Sequence, residues 1–308
     1  MQAAPFSALE SAVQSAIQSA FQLYAQQHPE LASVSPQWQP MAGGSSNRLY
    51  SSVADSLVLR VNAAPEQVPG VDRRREADVL TQLQGQPWAP WVLHCAVQPS
   101  AEGDHGWLLT RWHGDSPADG LTAAQRAQLL DAVAAWQALE LDVQSQEMSL
   151  EMDYDALLAG YGAMLAGLPM ERALQQLVVR AARELALLPE IPRVLTHHDL
   201  HPGNLCLSEG ALVVVDWEYA ALGSAWFDAA ALVQRCGLDA AQIGVLPAFA
   251  NLDAKALAQG LARAGWLCDA LECLWYWARG LGGTDRKMAD LMRDTLRLLK
   301  QPEAAAAG

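Results

Sequence analysis

Lysine is scarce in this chain of 308 residues: there are three, Lys255, Lys287 and Lys300, all in its last fifth. That excludes a phosphate-cradling G-x-x-x-x-G-K-[ST] loop in the earlier part of the chain. Cysteine is also sparse. Cys95, Cys206, Cys236, Cys268 and Cys273 are odd in number and form no C-x-x-C pair, which excludes a zinc ribbon or a disulfide framework. They read as small buried hydrophobes in a reducing compartment. No apolar run reaches the roughly 18 residues of a membrane span. No Lys or Arg precedes Arg48, so no secretory n-region is expected and a cytoplasmic location is the default. Basic residues are outnumbered by acidic ones, 20 to 34, for a formal charge of −14. An acidic surface repels phosphate backbones, so no nucleic-acid partner is expected. The same charge attracts a cation, although it also serves solubility alone.

What is present is a foldable chain: 51% hydrophobic against 18% charged, the reverse of a disordered composition. Ser7–Gln26 has helical spacing, with Leu9, Val13, Ile17 and Phe21 at steps of four. Strands are expected within 38–61, where Met41–Asn47 forms a turn, and again at 91–98 and 106–112, around a turn at Glu102–Asp104. A helix is expected from about Asp72 to Leu83. From Thr122 the pattern turns to Ala/Leu-rich helices at 122–140, 153–166, 171–187, 225–236, 253–278 and 284–299. One strand-like island, Leu205–Asp216, interrupts them. A strand-rich part, 1–112, thus precedes a helix-rich part, 113–308, an α+β organisation. The tail Glu303–Gly308 is expected to fray.

The most informative string is His197-His-Asp199-Leu-His201-Pro-Gly-Asn204, followed by Leu212-Val-Val-Val-Asp216-Trp-Glu218. Leu205–Leu207 and Ala211–Val215 can pair as a hairpin across Ser208–Gly210, which brings Asn204 and Asp216 to one open end. Two neighbouring side-chain oxygens suit magnesium, which takes few protein oxygens and completes its shell with phosphate and water. Asp199, just upstream, can accept a proton from an attacking hydroxyl. The order base, metal Asn, metal Asp matches the catalytic template of protein kinases, with His197-His-Asp199 at H-R-D and Asp216-Trp-Glu218 at D-F-G. Three histidines near two carboxylates could suggest zinc, but Asp and Asn oxygens at this spacing fit magnesium better.

The string His-x-Asp-Leu-His-Pro-Gly-Asn resembles the aminoglycoside phosphotransferase superfamily. Asp216-Trp-Glu-Tyr-Ala220 with Phe227-Asp228-x-Ala230 looks most like its choline/ethanolamine kinase and thiamine kinase branch. The similarity spans residues 38 to 300. It implies a bilobal protein-kinase-like fold: a small N-lobe with an antiparallel sheet, and a larger helical C-lobe carrying the catalytic hairpin. It implies ATP and Mg2+ as cofactors, with the nucleotide between the lobes. With no lysine before 255, Arg60 is the replacement for the kinase lysine, and Glu76, in Arg73-Arg-Arg-Glu76, is its partner acid. Gly43, Gly44, Ser45, Ser46 and Asn47 form the phosphate-covering turn. Arg111 and Trp112 lie in the hinge segment Leu108–Gly114, where adenine bonds the backbone. His197 and Asp228 are expected to hold the catalytic loop rather than react, and the comparison gives Asp228 that bracing role; a helix N-cap is the alternative for Asp228. His201 either lines the acceptor site or bonds backbone.

The acceptor is expected to be a small, cationic alcohol of the choline, ethanolamine or thiamine kind. Of eleven tryptophans, Trp226, Trp275 and Trp277, with Tyr219 and the carboxylate of Glu218, could cage a quaternary ammonium or thiazolium. For each tryptophan taken singly, a place in the core is the alternative. An aminoglycoside or sugar kinase is the alternative within the superfamily, and a nucleotide-binding pseudokinase the alternative outside catalysis. A protein kinase is disfavoured by the absent lysine, D-F-G and A-P-E.

Overall fold

A computed structural model describes residues 38–41, 47–52, 54–63, 68–97, 106–142, 150–208, 210–280 and 287–302. The expected helix at Ser7–Gln26, the turn residues Gly43, Gly44, Ser45 and Ser46, the Glu102–Asp104 turn and the tail from Glu303 lie outside them. By contacts the chain groups into two units, residues 1–64 with 91–112, and 65–90 with 113–308.

Among its described residues the first unit is an antiparallel sheet. Its strands are β1 (Gln39–Pro40), β2 (Arg48–Ser52), β3 (Leu57–Val61), β4 (Val92–Ala96) and β5 (Trp107–Arg111), in the order β1-β2-β3-β5-β4. Side chains alternate between faces along a strand. Leu57, Leu59 and Val61 therefore share one buried face with Leu93, Trp107 and Leu109. Burying each such side chain contributes roughly 1.5–3 kcal/mol. Arg60 falls on the other face, opposite Leu49 on one side and Leu108 on the other.

The second unit opens with α1 (Arg73–Gln82), capped by Asp72, whose carboxylate accepts the N–H groups of Arg74 and Arg75. The sequence suggests that 65–90 belongs with the strands before it, yet this segment groups with the helices. Its polar atoms explain why: Arg75 Nε donates to Ala220 O at 3.1 Å, and Trp88 O accepts the Val214 N–H at 2.8 Å. The Trp88 ring also packs against those of Trp136 and Trp217, with centroids 5.5 and 5.8 Å away.

The remaining helices are α2 (Ala123–Gln137), α3 (Tyr154–Met164), α4 (Glu171–Ala186), α5 (Trp226–Cys236), α6 (Ala240–Gly244), α7 (Ala254–Arg279) and α8 (Met288–Lys300). A Thr122/Gln125 capping box starts α2. Helices α3, α4, α7 and α8 enclose a core of Tyr161, Leu165, Leu174, Leu177, Leu274, Trp277 and Leu298. Two short strand pairs lie among them: β6 (Arg193–Thr196) with β9 (Ala221–Ser224), and the expected hairpin β7 (Leu205–Ser208) with β8 (Ala211–Val214). Among the described residues no helix is long and apolar enough to cross a membrane. The five cysteines are free thiols, with Cys236 and Cys273 buried.

Candidate active site

The loop His197–Asn204 leaves β6 and enters the hairpin, so its ends are fixed by two separate strand pairs. Its interior is fixed by a buried carboxylate. Asp228 accepts the His197 N–H on Oδ2 at 2.9 Å and the His198 N–H on Oδ1 at 3.0 Å. Burial pushes its carboxyl up to about 6, opposed by those two bonds. Asp228 is the third helical residue of α5, whose N-cap is Ala225, so it is not the cap.

Each histidine of the loop has a defined proton. The Asp199 N–H donates to His197 Nδ1 at 3.3 Å, so the other ring nitrogen, Nε2, donates to Val215 O at 3.1 Å. This one ring joins the backbone before Asp216 to the backbone of Asp199. Burial holds His197 neutral, its pKa lowered to about 4. His198 Nδ1 donates to Thr196 O, while Nε2 accepts the Tyr154 hydroxyl at 2.7 Å; that oxygen accepts the Ser224 N–H. Burial lowers the His198 pKa to about 3. The packing here is tight enough to require Gly223, where a Cβ would lie 2.6 Å from both His198 Cε1 and Tyr154 Oη.

Asp199 and Asn204 are linked directly. Asn204 Nδ2 donates to Asp199 O at 2.9 Å and to Asp199 Oδ2 at 3.2 Å. With its amide nitrogen engaged there, Asn204 presents Oδ1 on its other side. Asn204 O accepts the Val215 N–H at 2.9 Å, one step beyond the Leu205–Val214 pair. Asn204 and Asp216 are thereby brought to the same end of the hairpin. Burial pushes the Asp199 carboxyl up to about 7; Arg235 opposes this and Glu218 reinforces it. His201 Nδ1 accepts the Gly203 N–H at 3.0 Å, and Nε2 stands 3.8 Å from Asp199 Oδ2, beyond hydrogen-bond reach.

Two residues here have a left-handed backbone without being glycine, His198 at φ 66° and Asp216 at φ 63°. Such positions cost of order 1 kcal/mol each and persist only where the surroundings hold them; they cluster at functional sites. Two side chains hold the segment after Asp216. Trp217 Nε1 donates to Val214 O at 2.9 Å, and the Glu218 carboxylate accepts Arg73 Nη1 at 2.7 Å. Arg73 Nη1 also reaches Glu76 Oε2 at 3.0 Å.

Several expected acceptor residues are committed elsewhere. Trp226 is 1% exposed, donates to Pro189 O and meets Phe249 edge-on. Trp277 is 3% exposed and donates to Thr295 Oγ1. Both are core, because an indole bonded through its only donor and enclosed in hydrocarbon has no face left for a ligand. Glu218 is buried and ion-paired with Arg73 rather than set out for a cation. Trp275 is half-buried, donates to the Tyr219 hydroxyl at 3.0 Å and carries the Arg279 guanidinium 5.1 Å from its ring centroid. Arg235 and Glu272, paired at 2.7 Å, both act electrostatically on Asp199.

Arg60 is buried and its Nε donates to Asn62 Oδ1 at 3.0 Å. Asn47 Oδ1 accepts the Ala63 N–H. Arg111 stacks on Trp91 at 4.1 Å, and Trp112 is exposed. Glu76 belongs to the second unit, so its expected pairing with Arg60 joins residues of different units.

Sequence reasoning misses Arg73, Arg75 and Tyr154. The signal for the arginines lies in the string Arg73-Arg-Arg75 in the first turn of α1, where the helix dipole disfavours cations. Such a run needs other partners, and here Arg73 has carboxylates and Arg75 has the carbonyls of Gly70 and Ala220.

A sequence model of the phosphotransferase enzyme family matches residues 37–289. Among solved structures, a choline/ethanolamine kinase family protein from Mesorhizobium loti is 19% identical, with 93% of this chain and 96% of that one covered at a TM-score of 0.65. The choline kinase LicA from Streptococcus pneumoniae is 16% identical, with 92% and 98% covered at 0.63. The ADP-bound aminoglycoside phosphotransferase APH(2'')-Ib is 13% identical, with 90% and 96% covered at 0.58. No curated protein matches the chain significantly. At these identities the likeness establishes the fold, which is α+β and protein-kinase-like.

Proposed function

Because the chain belongs to the phosphotransferase enzyme family, we propose that it transfers the γ-phosphoryl group of ATP to the hydroxyl of a small molecule. The observation that carries this reading is the linked set Asp199, Asn204 and Asp216. A base, an oriented amide oxygen and a carboxylate on a strained backbone are tied together by His197, by the Asn204 amide and by the Val215 N–H. Solved relatives of this fold carry ADP and AMP, which supports a nucleotide donor.

In this reading Asp199 orients the acceptor hydroxyl and takes its proton as the oxygen attacks phosphorus. A carboxyl raised to about 7 suits that role, since a base works best with a pKa near the working pH. Asn204 Oδ1 and the Asp216 carboxylate are hard oxygen donors on one hairpin end and fit Mg2+. A bound magnesium ion supplies neutralisation of developing phosphate charge. Arg60 is the basic residue proposed to serve the phosphates in place of the kinase lysine. The segment at Arg111 and Trp112 receives the base. His197 and Asp228 hold the loop without reacting. Most of the acceleration comes from positioning and charge stabilisation.

For the acceptor, a small alcohol of the choline, ethanolamine or thiamine kind remains the preferred class. Support comes from the net charge of −14, from the half-buried Trp275 and Tyr219, and from the choline- and ethanolamine-kinase likeness. With Trp226, Trp277 and Glu218 committed elsewhere, the cation case rests on fewer groups. An aminoglycoside or sugar acceptor is the second reading, favoured by the likeness to APH(2'')-Ib. ADP release measured over choline, ethanolamine, thiamine, amino sugars and aminoglycosides separates them. For the accepted alcohol, Asp199→Asn is expected to lower kcat by about 10²–10⁴-fold with ADP affinity retained. Turnover within threefold of wild type refutes the assignment.

A further inference from the structure

We infer that Arg73 is a positioning residue for the metal-binding loop: by gripping Glu218 it holds Asp216 in its strained, metal-competent conformation. The inference rests on the phosphotransferase reading above. It starts from the backbone. Asp216 has φ 63° although it is not glycine, and nothing intrinsic to aspartate keeps it there. A residue so placed relaxes toward the ordinary regions unless the chain on both sides is fixed.

On the N-terminal side the fixing is plain. Val215 lies between two bonds, its N–H to Asn204 O and its carbonyl to His197 Nε2. On the C-terminal side, Trp217 donates its indole N–H to Val214 O and packs its buried ring against Trp88 and Trp136, which holds the chain at 217 but leaves the backbone beyond it to other ties. The charged tie, which reaches α1, is Glu218. Its carboxylate is 4% exposed and meets the Arg73 guanidinium, itself 12% exposed, at 2.7 Å. The same Nη1 reaches Glu76 at 3.0 Å, within the first turn of α1. That helix is fixed to the chain just beyond through Arg75, whose Nε donates to Ala220 O. One buried cation thus joins two carboxylates, and the loop carrying Asp216 is fastened to α1 at 218 and at 220. A buried, charge-assisted bond of this kind is stiff and unscreened.

The consequence is specific. Without Arg73 the loop can relax at Asp216, and its carboxylate leaves the position from which it joins Asn204 on a cation. Nucleotide binding as such does not use that carboxylate; only the magnesium-linked part does. Arg73 therefore acts on the linkage between Mg2+ and nucleotide, whereas a merely structural residue would alter stability and leave that linkage alone.

The test is calorimetric titration of the full chain with ADP, with and without Mg2+. The ratio of the two Kd values is the readout, and melting temperature is followed in parallel. In wild type Mg2+ is expected to tighten ADP. In Arg73→Gln the tightening is expected to fall by about tenfold while the metal-free Kd stays within about threefold. Arg73→Lys keeps the charge but replaces a planar fork by a point donor, and is expected to lie between the two. Should Arg73→Gln fold poorly with Glu218 left buried and charged, Arg73→Gln/Glu218→Gln removes both charges, and the same loss of linkage is expected. Wild-type linkage in a folded Arg73→Gln or in the double variant overturns the inference and leaves the phosphotransferase reading standing. Absence of any Mg2+ effect in wild type overturns both.

Discussion

Replacing His197 by phenylalanine tests the idea that one neutral imidazole keeps the base and the metal carboxylate in register. The ring is fully buried and uses both nitrogens, accepting from the Asp199 N–H and donating to Val215 O. Phenylalanine fills nearly the same space and serves neither group. Each backbone group left without a partner costs roughly 1–3 kcal/mol, so a loss of about 2–6 kcal/mol is expected. At about 2–4 °C per kcal/mol for a large domain, melting should fall by roughly 5–20 °C. Turnover should fall about 100-fold even below the melting point, since small misplacements of reacting groups carry such penalties. The pH dependence makes the test sharper. Burial lowers the folded-state pKa of His197 to about 4, against about 6.5 unfolded. Its neutral form is the folded form, so its contribution is complete above about pH 6.5. That contribution is lost as pH falls from there toward 4, by at most about 3 kcal/mol. A phenyl ring does not titrate and has no such loss. The gap between wild type and His197→Phe should therefore narrow on acidification. Thermal melts from about pH 8 to about pH 4.5, spanning that window, with kcat measured well below the melting range, check this. A variant melting within about 2 °C of wild type, less than one kcal/mol would produce, or a gap that widens in acid, refutes the reasoning.

The Asp199 carboxyl, raised to about 7 chiefly by burial and held back by Arg235, must be ionised to act as base. Activity should fall as pH drops through about 7, and in Arg235→Met that acidic limb of the kcat profile should move to higher pH; an unmoved limb counts against Asp199 as the titrating group. Gly114 has φ +84°, and a Cβ there would lie 1.9 Å from Leu207 O on the catalytic hairpin. Gly114→Ala should cost at least about 2 kcal/mol in urea unfolding, through the strained φ and the clash together, and a neutral result would show that the backbone there yields freely.

How far the sequence discloses this molecule depends on where a residue's neighbours lie along the chain. Leu205–Val214 is readable because its two short apolar runs and the turn between them are contiguous. The pair β6 with β9 is not. Ala221-Leu-Gly-Ser224 has no strand-forming bias and owes its conformation to Arg193–Thr196, which lies on the far side of the whole catalytic loop and hairpin. The linear order Asp199, Asn204, Asp216 carries the catalytic proposal because all three fall within one short supersecondary unit. The pairing of Glu218 is not legible in sequence for the opposite reason. Its partner Arg73 is 145 residues distant, and no local pattern joins them. The grouping of 65–90 with the helices is decided by equally remote bonds, from Arg75 to Ala220 and from Val214 to Trp88.

The tryptophans show a second limit. An indole is amphipathic, so the residue type that would cage a cation is also the one that fills a core while satisfying a stray carbonyl. Trp136, Trp217 and Trp226 are each buried to 1% exposure or less, and Trp217 and Trp226 donate to backbone oxygens. Counting tryptophans near a catalytic string therefore measures how tightly that string is packed before it measures what binds beside it. Trp217 makes the point physically. It lies between Asp216 and Glu218, meets the Trp136 ring edge-on at 5.3 Å and the His197 ring at 4.8 Å, and so fixes the chain between two functional carboxylates by hydrocarbon contact. The aromatic ring beside the metal carboxylate is thus a buried one that anchors the chain at 217, and the Arg73–Glu218 pair fixes the chain just beyond it.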